Sequence, residues 1–534
     1  MKNACILLTV LFLVFSCKKS SDQNSADLII EDATIQAFFK SNPESEKIKK
    51  EVNLFYKNRD FQYAWFTENG MIQAVPNFQN QLQNYTNAFN DKTFKNAQLD
   101  TLITIIKSNN NESKIDKKQK ENLELLLTTT FFKYSEKAFS GINKTPRQLD
   151  WFIPRSKKNF QTTLESLILK DENDSIYQPV NVYYSKLVEK LIFYREIKKK
   201  GGFPIIKTDK STLSVTESDP CIIHVKQRLF LSGDLKSNDK TILFTESLKS
   251  AVSNFQQRLG LPETGILDGK TINEMNKSVD FRIKQMLVNL ERLRWVPVEI
   301  ENDYLLVNIP EYKLHIFKDK KILWETNVVV GKEAKQTTIF KGQISRIMLN
   351  PYWNVPNSII NKEIIPALKR DRNYLSKNNM EVVSFSGEPM NESSIDWNKY
   401  TTKKVPFMIR QKPGKDNALG EMKFLFPNSF SIYLHDTPSK GLFDRNERDF
   451  SHGCIRVENP KKLLLYLLEN NKTWTNKKLD EVLKTDKETG ISVKPNMPVY
   501  IAYFTAWVDH KGNLNFRNDI YDLDNQLAKE IFAD

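Results

Sequence analysis

The first part of the chain has the spacing of apolar residues that predicts amphipathic helices. Apolar side chains recur at steps of three and four over residues 121–138, and residues 183–197 repeat that spacing. Such stripes are the buried faces of packed helices, so we predict a helical domain over residues 35–215. The segment before it, residues 17–34, is polar and predicts a tether.

A second, shorter helical unit is predicted over residues 218–278. Thr245 is placed to cap a helix that Gly260 ends, and Asp268 is placed to cap the next helix. A short helix that opens at His224 precedes them. Most of the patterned residues are core and turn residues, so the pattern predicts a three-helix fold rather than a particular ligand.

In the second half of the chain the pattern alternates with a period of two, which predicts β-strands. Residues 304–309 and 313–317 alternate in this way, and we predict a mostly-β domain over residues 303–505, built as a sandwich or barrel. Helix and loop signals interrupt it over residues 353–412, and an insertion of this length usually serves as a lid or recognition surface. A charged tail follows over residues 506–534, so the whole chain is a multidomain α+β protein.

Composition and charge restrict the function only loosely. The 534 residues suffice for two to four domains, and the net charge of +14 is spread along the chain as lysine. A diffuse charge predicts an ordinary lysine-rich surface, with attraction to an anionic polymer or membrane as the alternative. The sequence has no zinc-like Cys/His spacing, phosphate-binding glycine loop or nucleic-acid-reading module. We therefore predict no cofactor, no metal and no nucleic acid.

The first seventeen residues have the features of an export signal. Lys2 precedes an apolar run over residues 6–15 that is too short for a permanent membrane-spanning helix. Ser16-Cys17 follows, which resembles a bacterial lipobox, where the signal is cut before a cysteine that takes a diacylglycerol. We expect a signal peptide over residues 1–16 and lipidation at Cys17. An ordinary secretory signal with an incidental cysteine is the alternative.

The strongest chemical signal is a cysteine among glycine and histidines. Cys454 directly follows His452 and Gly453, and His435 lies nineteen positions before it. A thiol attacks a carbonyl as the thiolate, and a neighbouring imidazole can take its proton. The N–H groups of Gly453 and Cys454 are natural oxyanion donors. From the residues alone either histidine could be the base, although His452 points the same way as Cys454 only in an extended segment.

Two other residues with reactive side chains receive structural interpretations. An exported chain with Cys221 and Cys454 as its thiols is no disulfide scaffold. A bridge between them is an alternative that we do not expect, because the surroundings of Cys454 favour a free thiolate. His315 lies within a predicted strand and is interpreted as an ordinary strand residue.

At this point the sequence resembles known families. His435 followed by the segment from Ser451 to Arg456 resembles the signature of the L,D-transpeptidase catalytic domain, and residues 244–276 resemble the three-helix peptidoglycan-binding module. Large Gram-negative members combine an α-helical scaffold domain, this module and a capping insertion in the same order. Further matching segments are Asn308-Ile309-Pro310, Val328 to Gly331, Asn350 to Pro356, Asn417 to Gly420, Phe426-Pro427-Asn428 and Leu434 to Pro438.

The resemblance implies roles for individual residues. It makes Cys454 the nucleophile and His435 the general base, oriented by the backbone carbonyl of Asp436. It places His452 in the wall of the site and gives Arg456 a part in holding the substrate peptide. Trp353, which opens the insertion, and Asn417 are further candidates for substrate contact, with core and turn roles as the alternative.

The implied reaction removes the terminal D-alanine of a peptidoglycan tetrapeptide stem through a cysteine acyl-enzyme and forms 3→3 cross-links. The alternatives are the same chemistry with water, a D-amino acid or a protein amine as acceptor, and a non-catalytic wall-binding protein. The implied partners are peptidoglycan, a membrane reached through the lipid anchor, and cell-wall synthesis proteins. The expected location is periplasmic, at the outer membrane if the cell is Gram-negative.

Overall fold

The computed structural model describes residues 28–108, 116–155, 157–169, 180–400 and 405–532. The chain divides into two compact units, residues 1–139 with 158–178 and residues 140–157 with 179–534. The predicted signal peptide and Cys17 lie outside the described residues. Within those ranges, no helix has the length and apolar character needed to cross a membrane.

The first unit is helical, as the periodicity predicts. Its elements are α1 (Asp32–Ser41), α2 (Lys49–Asn58), β1 (Phe66–Thr67), β2 (Gly70–Met71), α3 (Ala74–Phe89), α4 (Ala97–Ser108), α5 (Lys117–Ser135) and α6 (Phe160–Leu169). The buried Glu124 of α5 accepts hydrogen bonds from the N–H groups of Ala64 and Trp65, at 2.6 and 3.0 Å, and from the Tyr56 hydroxyl at 2.9 Å. Burial raises its pKa to about 7. These bonds tie α2 and the loop before β1 to the central helix.

The second unit begins with helices that lead into the β-domain. These elements are β3 (Trp151–Phe152), α7 (Val182–Lys199), β4 (Thr212–Leu213), α8 (Cys221–Ser232), α9 (Glu246–Leu259), β5 (Leu267–Asp268), α10 (Gly269–Met275) and α11 (Val279–Trp295). The predicted helical domain over 35–215 is therefore divided, because α7 packs against α11 in this second unit.

The helix caps predicted in the three-helix module are confirmed. Thr245 Oγ1 accepts the N–H of Leu248 at 3.2 Å, and Asp268 Oδ1 accepts that of Thr271 at 2.7 Å. Gly260 ends α9 with φ +68°, the left-handed conformation that glycine adopts readily.

The β-domain is built on a sheet of ten strands among the described residues. Its further elements are β6 (Tyr304–Asn308), β7 (Lys313–Lys318), β8 (Lys321–Gly331), β9 (Ile339–Leu349), β13 (Met422–Leu425), β14 (Leu434–His435), β15 (Asp449–Ser451), β16 (Ile455–Val457), α15 (Pro460–Leu467), α16 (Asn476–Leu483) and β17 (Thr489–Ala502). The pairing order is β13-β14-β16-β8-β7-β6-β17-β9, and β9 also pairs with β13. The path of pairings therefore returns to its start, as in a barrel.

The capping insertion has a small core of its own. It contains β10 (Trp353–Asn354), α12 (Asn357–Ile359), α13 (Ile365–Arg370), α14 (Tyr374–Lys377), β11 (Met380–Val383) and β12 (Met408–Gln411). The strands form a separate three-stranded sheet, and buried aliphatic residues such as Ile360, Ile365 and Leu368 pack in one cluster with Phe407 and Ile409. The helical and loop character predicted for this insertion is present, together with a sheet that the sequence did not predict.

The segment predicted as a charged tail is folded over residues 506–532. It forms the hairpin of β18 (Ala506–Val508) and β19 (Leu514–Phe516), then α17 (Leu523–Ile531). Arg292 of α11 is paired with Asp524 at 2.5 Å. Tyr521 is buried, and its hydroxyl donates to the Gly331 carbonyl at the end of β8. The last described residues thus support the strand that lies beside the candidate site.

Candidate active site

Three neighbouring strands place Lys423, His435 and Arg456 in one row. Lys423 of β13 lies opposite His435 of β14, and His435 lies opposite Arg456 of β16. Residues directly opposite each other on paired strands have side chains on the same face of the sheet. Cys454 directly precedes β16, so the predicted nucleophile and base come from adjacent strands, and the imidazole has a cationic residue on each side.

The Cys454 thiol is half-buried against the loop before β14. Its Sγ donates to the carbonyl oxygen of Ser431 at 3.6 Å, and Ser431 itself has φ +58°. Burial raises the pKa of Cys454 above its usual value, while hydrogen bonds from the N–H and side chain of Tyr433 and the charges of Lys423 and Arg456 oppose that rise. The resting group is therefore a thiol at neutral pH.

The His435 ring is buried and fixed by the main chain. Its Nδ1 lies 2.5 Å from the carbonyl oxygen of Asp436, and since a carbonyl can only accept, Nδ1 carries the proton. Burial lowers the pKa of His435 to about 3, the charges of Arg456 and Lys423 add to this lowering, and the Asp436 carbonyl opposes it. The ring is thus neutral at physiological pH, with Nε2 as the unprotonated nitrogen.

The glycine before Cys454 is held by two hydroxyl groups. Gly453 has φ +113°, its N–H donates to Ser451 Oγ at 3.1 Å, and its carbonyl accepts from Thr337 Oγ1 at 2.8 Å. Ser451 Oγ donates in turn to the Cys454 carbonyl at 2.5 Å. The Gly453 N–H, predicted as an oxyanion donor, is therefore already engaged. The Cys454 N–H has no hydrogen-bond acceptor within the described ranges.

The Asp436 carboxylate points away from the imidazole. Its Oδ2 accepts the N–H of Glu421 at 3.0 Å, and its Oδ1 is paired with Lys440. A Cβ added to Gly420, which has φ +60°, would lie 2.3 Å from Asp436 Oδ2. The site thus uses the carbonyl of this residue, in agreement with the role implied for it, while the side chain joins two loops.

His452 contacts the capping insertion rather than the nucleophile. It is exposed, and its Nε2 lies 3.1 Å from Oε1 of Glu363, in the helical segment that follows α12. The competing assignment of His452 as the base gains no support from this geometry, because the ring is engaged at the surface. The contact joins the cap to the cysteine loop.

Asn417 and Trp353, the two remaining candidates for substrate contact, are engaged by the main chain and by the core of the cap. Asn417 is 2% exposed, and its Nδ2 donates to the carbonyls of Pro351 and Lys412 at 3.0 and 2.9 Å while its Oδ1 accepts the N–H of Leu419. Its amide is engaged by the main chain and braces the loop, and its contact with substrate stays a prediction. Trp353 is half-buried against the core of the cap.

Lys423, Tyr433, Ser451 and Thr337 belong to the site but were not singled out from the sequence as contributors to it. Tyr433 lies just before β14 and precedes His435 by two residues, which in extended chain is the spacing of side chains on one face. That signal could have identified it. Cys221 is free and buried, and burial with the neighbouring Asp219 raises its pKa to about 12. Across the described part of the chain no group of His, Cys, Asp and Glu is arranged to hold a metal.

Comparison with protein families agrees with this arrangement. Residues 302–501 match YkuD, the L,D-transpeptidase catalytic domain, residues 50–191 match a scaffold domain, and residues 220–275 match a family described as "Putative peptidoglycan binding domain". A Haemophilus influenzae protein named "Putative L,D-transpeptidase" is 30% identical over 370 residues, which cover 69% of this chain and 71% of that protein. The chain belongs to the L,D-transpeptidase family. Its catalytic domain and its peptidoglycan-binding domain support peptidoglycan as a partner.

Several of the solved structures that resemble the chain are named L,D-transpeptidases. One is the Enterococcus faecium catalytic domain acylated by ertapenem, 13% identical, covering 38% of this chain and 99% of that one with a TM-score of 0.18. Another is the Stackebrandtia nassauensis L,D-transpeptidase, 12% identical, covering 54% and 97% with a TM-score of 0.22. At these TM-scores the superpositions carry no structural argument.

Proposed function

We propose that this protein cleaves the terminal D-alanine from a peptidoglycan tetrapeptide stem through a Cys454 acyl-enzyme and forms 3→3 cross-links. The observation that carries the proposal is the His435 ring, fixed by a main-chain carbonyl on the strand beside the cysteine loop. An imidazole held in one tautomer next to a thiol has the parts of a nucleophile and base pair. Family membership supplies the class of reaction.

In the acylation step, His435 Nε2 takes the Cys454 proton while Sγ forms a bond to the carbonyl carbon of the third stem residue. The Cys454 N–H stabilises the resulting oxyanion, since no acceptor for it exists among the residues that the structure describes. Because the pKa of His435 is low, its imidazolium gives up a proton readily. It protonates the departing D-alanine nitrogen as the C–N bond breaks. A thioester and a neutral imidazole remain.

In the second step an acceptor amine attacks the thioester. His435 takes a proton from that amine and returns it to the cysteine sulfur, so the thiol is regenerated and an amide forms. We propose the side-chain amine of a diamino acid on a second stem as the acceptor. With water the product would be a tripeptide stem, and with a free D-amino acid or a protein amine it would be an exchanged stem or a protein adduct.

Muropeptide digestion separates these outcomes. Purified protein is incubated with disaccharide tetrapeptides, with and without a D-amino acid or a lysine-containing peptide as a protein-amine acceptor, and the products are read by intact mass. We expect D-alanine release with a cross-linked dimer from the wild type and neither product from Cys454→Ala. Cys221→Ala is the matched control, because its thiol is buried away from the motif, and it should retain activity. Release by Cys454→Ala, or none by the wild type, would overturn the proposal.

We further propose that the protein is exported and anchored through a lipid on Cys17. The apolar run and Ser16-Cys17 at its end support this. Detergent-phase partition and the mass of the mature N-terminus test it in cells that carry the wild type or Cys17→Ser. The wild type should enter the detergent phase with a lipid-sized mass increase, and an unmodified wild-type Cys17 would contradict the proposal.

A further inference from the structure

Lys423 is a half-buried lysine beside the candidate nucleophile. It lies opposite His435 in the strand register, and its Nζ is 4.0 Å from the centre of the Tyr433 ring. The Tyr433 side chain in turn hydrogen-bonds Cys454. Within the described ranges the Lys423 side chain has neither an ion pair nor a hydrogen bond, so its ammonium faces a ring and the thiol with no carboxylate at ion-pair distance.

Arg456, on the other side of His435, also has no ion-pair partner among the described residues. Its guanidinium is half-buried, and its Nε is a buried atom without an acceptor. Taking a charge out of water costs free energy unless an opposite charge compensates it. Burial lowers the pKa of Lys423, while the charges of Cys454 and Glu488 favour the ammonium. The row therefore holds two cationic groups that have no ion-pair partner among the described residues, since Glu488 acts on Lys423 only from beyond ion-pair distance.

The Cys454 sulfur cannot be their standing partner. Its raised pKa keeps it a neutral thiol at rest, and once acylated it is a neutral thioester. A substrate with a free carboxylate next to the scissile bond, by contrast, carries a full negative charge at neutral pH. In a peptide that loses its last amino acid, only a nitrogen and a Cα separate the scissile carbonyl from that carboxylate. The two carbons are then about 4 Å apart.

We propose that Lys423 is a specificity-determining residue that receives the carboxylate of the amino acid leaving when Cys454 is acylated. The proposal rests on the proposed function for the identity of that amino acid. The ammonium approaches the carboxylate from β13, while the scissile carbonyl lies over Sγ. Arg456 is left to hold the rest of the peptide, which agrees with the role implied for it by the resemblance.

The first experiment compares two substrates and two variants. Lys423→Met removes the charge and keeps an unbranched side chain of similar length, and Lys423→Arg keeps the charge. Tetrapeptide muropeptides ending in D-alanine are compared with ones ending in D-alaninamide. We expect Lys423→Met to lower kcat/KM about 10- to 100-fold for the acid and far less for the amide, while Lys423→Arg keeps most of the preference. An equal loss for both substrates would overturn the proposal.

The second experiment does not require transpeptidation. Alkylation of Cys454 by iodoacetate, which carries a carboxylate, is compared with alkylation by neutral iodoacetamide, and both are read on the Cys454 peptide by mass spectrometry. Lys423→Met should slow iodoacetate about tenfold more than iodoacetamide, corresponding to one charge contact. If both reagents slow equally, Lys423 only stabilises the thiolate and the proposal fails. If wild-type D-alanine release fails while this ratio falls, the anion site stands and the proposed function does not.

Discussion

The Nδ1 atom of His435 lies 2.5 Å from the carbonyl oxygen of Asp436, the residue that follows it in the chain. A carbonyl has no proton to give, so this contact alone selects the tautomer with Nε2 unprotonated. The orienting group is main chain, which no side-chain substitution at Asp436 removes. The Asp436 carboxylate is occupied by Lys440 and the Glu421 N–H. The main chain of Asp436 thus orients the proposed base, while its side chain braces two loops.

We first predict the effect of removing the base. His435→Gln should lower D-alanine release about 10²- to 10⁴-fold, which is the usual contribution of a positioned general acid–base group. Asp436→Asn is the matched control, because it keeps the carbonyl, and its kcat should stay within about threefold of the wild type. Rates come from single-turnover release of D-alanine. A His435→Gln variant as fast as Asp436→Asn would contradict the assignment.

The second prediction concerns the resting protonation states. Burial raises the pKa of Cys454 and lowers that of His435 to about 3, so the pair rests as thiol and neutral imidazole. Iodoacetamide alkylation of Cys454 should therefore rise with pH beyond the usual thiol pKa. The rate should show no step near pH 6.5, where an ordinary histidine titrates. A rate already on its plateau at pH 7 would instead indicate a resting thiolate–imidazolium pair.

The elements of the fold follow mostly from local signals in the sequence. The caps at Thr245 and Asp268, the strand around residue 315 and the helix over 121–138 are each set by neighbours within a turn or strand, and all appear in the structure. The strand is buried on both faces and the helix on nearly all sides, so the one-sided burial that the patterns predicted is absent. The cap sheet was missed because β10, β11 and β12 pair only with one another across long separations. Short strands with distant partners have little local pattern.

In the candidate site too, some residues can be found from local sequence signals and others only from the fold. Cys454 and His435 are identifiable because their residue types carry the chemistry, and their roles stay predictions. Lys423 beside His435 depends on the register of β13 against β14, which the loop between these strands determines. The sequence does not show that the Gly453 N–H already donates a hydrogen bond. Its partner is decided by the orientation of the Ser451 hydroxyl.

The third prediction tests the hydroxyl that shapes the cysteine loop. Ser451→Ala removes the acceptor of the buried Gly453 N–H and the donor to the Cys454 carbonyl. We expect about 1–3 kcal/mol less free energy of unfolding, the cost of a buried unpaired donor. We also expect kcat to fall about 10- to 100-fold, because displacing a reacting group by about 1 Å can cost that much. Thr337→Val also removes two hydrogen bonds, the donor to the Gly453 carbonyl and the acceptor of the Gly331 N–H, so it should cost a similar free energy of unfolding. It leaves the bond to the Cys454 carbonyl intact, so kcat should fall less than in Ser451→Ala.

The contact between His452 and Glu363 gives the fourth prediction. Both side chains are exposed, so the contact contributes little to stability, about 0–1 kcal/mol. Glu363→Gln should leave the melting temperature unchanged and alter KM for long glycan fragments more than kcat, because it loosens the cap over the cysteine loop. Lys362→Gln, which changes the neighbouring charge without this contact, is the control. A large loss of kcat with KM unchanged would place His452 in the chemistry instead.

The fifth prediction concerns the pH dependence of stability. Burial alone would lower the pKa of His315, but its contacts with Glu311 at 2.9 Å and Glu325 at 3.3 Å outweigh burial and raise it to about 9. The folded protein thus holds this proton more tightly than the unfolded chain, whose histidine titrates near 6.5. The stabilisation is complete below pH 6.5 and is lost as pH rises through 9.

In thermal unfolding, the protein should therefore have a free energy of unfolding lower by about 1–3 kcal/mol at pH 9.5 than at pH 6.5. His315→Gln combined with Glu311→Gln replaces the buried ion pair by two amides and should flatten this dependence. The double variant avoids the unpaired Glu311 charge that His315→Gln alone would leave buried. Melting curves followed by circular dichroism at both pH values give the comparison. Equal slopes in the wild type and the double variant would show that other groups set the pH dependence.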